Sequence, residues 1–215
     1  MPNSQSSNQT ILQRISDGRE YRAMPLMAPD DEEYTVHGYA CTFSQTYELY
    51  RSALYVFTEE IAPDAFAECD MADVIMQYDH QGHVYARKSN QTLEAAPDPH
   101  GLLTRAILGG TTIGRQLYEE IKGGYTTKMS FGFRVGADRY TEEEDHDTGC
   151  ITEHRTILKI SKLYDVSAVS LPANDATEIS ARSLCDGLIE RIQAERQARA
   201  RNRMIFDFKL KMSGL

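Results

Sequence analysis

Between Thr127 and Val135 the chain alternates without interruption, with Thr127, Met129, Phe131, Phe133 and Val135 on one side and Lys128, Ser130, Gly132 and Arg134 on the other. Successive residues of a strand point to opposite faces of a sheet, so a period of two over this length predicts a strand with one apolar face. Ser130 is thereby expected on the opposite face, polar and accessible. A sheet must be built around this segment.

The flanking sequence supplies further strands. YTVHGYACTF at 34–43 is aromatic and β-branched, with Gly38 suggesting a bulge or a close backbone approach. In EEIAPDAFAE, Pro63 offers the first turn of a short helix, where a missing N–H costs nothing. DVIMQYDH at 73–80 is strand-like, and PDPHG at 97–101 separates strands near Gln91–Ala95 and Leu102–Leu108 as a hairpin. Ile113, Leu117 and Ile121 recur at four-residue spacing, which predicts an amphipathic helix capped by Thr112 and stopped by Gly123-Gly124.

DRYTEEEDHDTG is an acidic connection without the ligand spacing of a calcium loop, so a solvated hairpin loop is expected there. RTILKISKLYDVSAVSL at 155–171 reads as two strand stretches, broken by the proline of LPAN at 171–174. The sum is a mainly β fold with peripheral helices, an antiparallel barrel or sandwich of about six to eight strands. The boundaries expected are an unstructured Ser/Asn/Gln-rich tail at 1–20, a folded domain at 21–183 and a helical tail at 184–215.

Composition narrows the function classes. The net charge of −9 argues against a general nucleic-acid binder, since phosphates call for a positive surface. Residues 191–203 run against that balance, with five arginines and one glutamate. Cys41, Cys69, Cys150 and Cys185 are scattered and form no C-x-x-C pair, so they read as reduced thiols and not as a disulfide or zinc framework. There is no apolar run long enough for a membrane span and no phosphate-binding glycine motif. His37, His100 and His146 show no metal-ligand spacing, and no metal or cofactor is expected.

Taken singly, Ser130 is a strand serine and His80 a turn histidine with His83 as an equal rival. Taken in order, GYACTF (38–43), EEIAPDAF (59–66), MQYDH (76–80), GGYTTKMSFGF (123–133) and LYDVSAVSLPAN (163–174) resemble the prohead protease family of tailed phages across about 21–183. That family in turn resembles the herpesvirus capsid-assembly proteases, which implies an antiparallel herpesvirus-protease-like β-barrel flanked by helices. The resemblance implies a serine endopeptidase with Ser130 as nucleophile and His80 as its base. The family pattern has His one residue earlier and followed by Asp, whereas the order here is Asp79-His80.

For the third group the resemblance points to Asp165, just before a small-and-apolar strand, with His154 and Glu153 as rivals and a solvated strand-end carboxylate as the alternative. It implies oxyanion or substrate contacts from Leu171, Ala173 and Asn174, with a plain turn as the alternative. Its implied partners are the major capsid protein and its scaffold region, the portal or prohead shell, and a second copy of the chain, with no membrane and no nucleic acid. The implied place of action is the assembling prohead in the bacterial host cytoplasm. The basic tail is either a solvated helix face or a docking segment for an acidic scaffold or capsid surface. A catalytically silent assembly protein and a small β-barrel binding module are the rival classes, and the joint presence of Ser130, His80 and Asp165 speaks against both.

Overall fold

A computed structural model describes residues 18–25, 28–29 and 33–170 of the 215. Strands β1 (Glu20–Pro25), β2 (Ala28–Pro29), β3 (Thr35–Thr42), β4 (Tyr47–Arg51), β5 (Tyr55–Ile61), β6 (Ile75–Tyr78), β7 (Gln81–Arg87), β8 (Leu93–Pro97) and β9 (Gly101–Ile107) precede helix α1 (Thr112–Lys122). The paired strands β10 (Lys128–Glu144) and β11 (Ile151–Val169) follow it.

These form two sheets. A 7-stranded sheet runs β1-β10-β11-β5-β4, with β6 and β7 branching from β11, and a 4-stranded sheet runs β2-β3-β9-β8. The expected barrel is not closed among the described residues, and the pairing is not uniformly antiparallel, because β11 pairs with both β5 and β6 in parallel. One edge of β11 is thus shared by two strands, β5 along Ile151–Ile157 and β6 along Asp165–Ala168, while its other edge carries β10 throughout. The two expected stretches at 155–171 are therefore one long strand, accommodated by register shifts against β10 between Gly132 and Asp138.

Met129, Phe131 and Phe133 are fully buried in a core shared with Val36 and Ala40 of β3, Leu102 and Ala106 of β9, and Leu117, Tyr118 and Ile121 of α1. Truncating Phe131 to alanine in such a core would cost about 3–5 kcal/mol. The helix cap lies one residue earlier than expected, since the Thr111 side chain accepts from the Gly114 N–H at 3.0 Å, and Ile113 is on the exposed side.

The segment after Pro63 is not a helix. It is a run of turns in which the Ala65, Ala67 and Cys69 N–H groups reach back three residues, to the carbonyls of Ala62, Asp64 and Phe66. A helix would need the Ala65 carbonyl for residue 69, but the Ile160 N–H takes it at 2.7 Å and ties the segment to β11. The acidic stretch is likewise no long loop. β10 continues in register to Glu144 opposite Ile151, and only 145–150 turn the chain. The irregularity in β3 falls between Tyr39 and Thr42 and not at Gly38, which pairs normally with Thr104.

Candidate active site

Ser130 pairs with Ser167 across β10 and β11, and Gly132 pairs with Asp165. Residues two apart share a face of the sheet, so Ser130 and Asp165 project to the same side, opposite the core face of Met129 and Phe131. The third group arrives from β6, whose parallel pairing sets Tyr78 beside Ala168.

The chain then reverses over Asp79 and His80, with Tyr78 pairing to Gln81. Both turn residues have positive φ, 48° and 57°, the pattern of a type I′ hairpin turn. That turn ordinarily carries Asn-Gly or Asp-Gly. Asp and His are among the non-glycine residues that enter this region at all, each at a cost of order 1 kcal/mol. Such strain is retained where surrounding contacts determine the conformation, and here it aims the imidazole across the sheet.

The His80 Nε2 lies 2.7 Å from the Ser130 Oγ, and Nδ1 is hydrogen-bonded to the Asp165 Oδ1. A carboxylate accepts only, so Nδ1 carries the proton and Nε2 presents a lone pair to the serine hydroxyl. The Ser167 hydroxyl donates to the same Asp165 Oδ1 at 2.9 Å. The Tyr21 ring packs on His80 with centroids 4.3 Å apart. It also borders Gly132, where an added Cβ would lie 2.5 Å from the Asp165 Oδ2 and 2.9 Å from the Tyr21 Cε1. Only glycine leaves room for the carboxylate and the ring together.

The polar face of β10 is not accessible, contrary to expectation. Ser130 is 0% exposed and Asp165 1%, with the His80 ring and the Tyr21 ring from the neighbouring strand β1 packed over that side. A peptide can meet the hydroxyl only after a local opening.

An ionic cluster pins β1 to the sheet from the other face, where Arg22 lies opposite Phe131 and Glu20 opposite Phe133. Arg22 grips the fully buried Glu59 with two hydrogen bonds, at 2.5 and 2.6 Å. Arg155 donates to Glu20 at 2.7 and 2.8 Å, to Glu59 at 3.0 Å and to Asp138 at 2.8 Å. Burial alone would raise the Glu20 carboxyl, but Arg155 and Arg22 override it and hold the group down at about 2. Burial alone would lower the Arg155 guanidinium, and the Glu20 and Glu59 carboxylates push it up instead.

The other residues singled out from the sequence lie elsewhere. His83 is exposed on β7, and His154 sits on the far half of β11, its Nδ1 2.9 Å from the Thr58 Oγ1 and its Nε2 3.5 Å from the Glu60 carboxylate. Glu153 accepts from the Tyr55 hydroxyl. Leu171, Ala173, Asn174, Cys185 and the basic tail lie outside the described residues. Sequence reasoning missed Tyr21 and the packing role of Gly132, since both act through cross-strand neighbours that no local pattern announces, and Ser167, which bonds Asp165 two residues back on the same strand.

A family model described as caudovirus prohead serine protease matches residues 22–187, a span that contains His80, Ser130 and Asp165. No curated protein and no solved structure matches the chain.

Proposed function

Because the chain belongs to the caudovirus prohead serine protease family, peptidases that act in phage head maturation, we propose that Ser130 is its nucleophile, His80 the base and Asp165 the group that orients the base. The observation that supports this reading most is the unbroken hydrogen-bonded series from Asp165 through both ring nitrogens of His80 to the Ser130 Oγ.

A serine hydroxyl is protonated at neutral pH and needs a neighbouring base to attack a carbonyl. As Oγ bonds to the scissile carbonyl carbon, its proton passes to Nε2, and the imidazolium so formed is stabilised by the Asp165 charge. His80 then gives that proton to the departing amine. Water, activated by the same nitrogen, releases the acyl group from Ser130 and restores the enzyme. Leu171, Ala173 and Asn174 are assigned the developing oxyanion, as the segment directly after the strand that carries Asp165. Every proton in this scheme moves between substrate, water and side chains of this chain.

The substrates assigned are the major capsid protein with its scaffold region and the chain itself, cut within the assembling prohead in the host cytoplasm. The basic segment at 191–203 is assigned to docking on an acidic scaffold or capsid surface, within a tail at 184–215 distinct from the domain at 21–183 and from the N-terminal tail at 1–20. The herpesvirus capsid-assembly proteases remain the fold relatives we infer, with Asp165 standing where they use a second histidine.

The test is co-expression with the capsid protein, read by intact mass. Defined shortening with the native chain and none with Ser130→Ala is expected. Equal shortening by the variant would remove Ser130 from the mechanism.

A further inference from the structure

The residue before the histidine has a carboxylate that the scheme above leaves idle. Asp79 accepts from the Ser170 backbone N–H at 3.0 Å through Oδ1 and from the Ser170 hydroxyl at 3.0 Å through Oδ2. Its own N–H donates to the Ala168 carbonyl at 2.9 Å. The strained turn is therefore fastened at three points to the end of β11, the strand that also carries Asp165. A closed path results, from the His80 ring to Asp165, along β11 to Ser170, across to Asp79 and back to His80.

Without the fastening, Asp165 could still attract the imidazole. The turn's tilt over the sheet would then rest on backbone pairing alone, that of β6 with β11, which ends at Tyr78 and the Asp79 N–H, and that of β6 with β7, which is shifted between Met76 and Tyr78. Loss of alignment by an ångström is enough to cost about 100-fold in rate.

We propose that Asp79 is a positioning residue, a carboxylate clamp that locks the left-handed histidine turn onto the end of β11 so that Nδ1 meets Asp165 while Nε2 meets Ser130. This rests on the reading of Ser130 and His80 as a catalytic pair.

Two roles of Asp79 need separating, that of an acceptable turn residue and that of a clamp. Asp79→Gly does so, because glycine enters positive φ without strain yet has no carboxylate. Asp79→Asn keeps the turn and an acceptor oxygen for the Ser170 N–H. The full chain is labelled with a fluorophosphonate, with the labelling rate at Ser130 followed by mass spectrometry alongside the melting temperature.

The clamp requires Asp79→Gly to react about 10–100-fold more slowly with little change in melting temperature, and Asp79→Asn to recover most of the rate. Ser170→Ala should give a smaller loss, and adding it to Asp79→Gly should cost nothing more, since both remove one interaction. Unimpaired labelling of Asp79→Gly beside a labelled native chain would overturn the clamp alone, as would losses of the two variants that simply multiply. A native chain that never reacts at Ser130 would overturn the catalytic reading beneath it.

Discussion

Gly132 and Asp165 face each other directly across β10 and β11, and the carboxylate lies where a side chain at 132 would begin. Gly132→Ala should therefore act on catalysis through Asp165 and Tyr21 while the sheet persists. Overpacking of this kind costs about 1–3 kcal/mol, and moving the orienting carboxylate should lower turnover by about 100-fold. A variant with native labelling of Ser130 by a fluorophosphonate would show that the carboxylate and ring can shift without penalty.

Asp165→Asn retains the shape but lets the side-chain amide hydrogen-bond the imidazole in the wrong tautomer. Turnover should fall by about 10²–10⁴-fold. Capsid processing by the purified variant, timed against the native enzyme, measures it, and a loss below about threefold would exclude the orienting role.

His154→Ala and His83→Ala should both leave turnover within a small factor of native. His154 is engaged with Thr58 and Glu60 on the far half of β11, and His83 is exposed on β7. A crippled His154→Ala enzyme with a normal melting curve would reassign the third role.

The Glu20 cluster predicts a pH dependence of stability with a definite sign. Its carboxyl sits near 2 in the fold against an ordinary 4.5, so the stabilisation is present above 4.5 and is lost as pH falls toward 2. The difference amounts to about 3 kcal/mol at neutral pH. Glu20→Gln should unfold earlier in denaturant at pH 7, and its deficit should shrink as the comparison is repeated at pH 4 and then pH 3. A deficit that stayed constant with pH would assign it to packing, not charge.

Local pattern reached the strand and the face of Ser130, while the choice of His80, Ser130 and Asp165 came from the family resemblance. The two-residue alternation placed Ser130 opposite Met129 and Phe131, and that relation holds in the sheet. Its accessibility was misjudged, because the polar face of β10 reads as solvated until Tyr21, on the neighbouring strand β1 and more than a hundred residues earlier in the chain, is known to pack on His80 over that side. The turn at Asp79-His80 sits in the two-residue gap of a hairpin, but it lacks the glycine that usually signals one. The Pro63 segment failed as a helix because its carbonyl was claimed by a strand nearly a hundred positions later. The acidic stretch to Glu144 became strand because β11 offered it a continuous partner, against its composition.

The order in which the strands occur has a consequence for the chain during its own synthesis. His80 lies 50 residues from Ser130 and 85 from Asp165. Within the 7-stranded sheet the histidine hairpin of β6 and β7 joins the other strands only through β11. Translation delivers that strand last among the described elements. Until it emerges, the hairpin has no sheet to rest on, the ring no acceptor and the serine no aligned base. On the proposed reading, the series from Asp165 through His80 to Ser130 cannot assemble before β11 is made, and a fragment ending before residue 165 is expected to lack it.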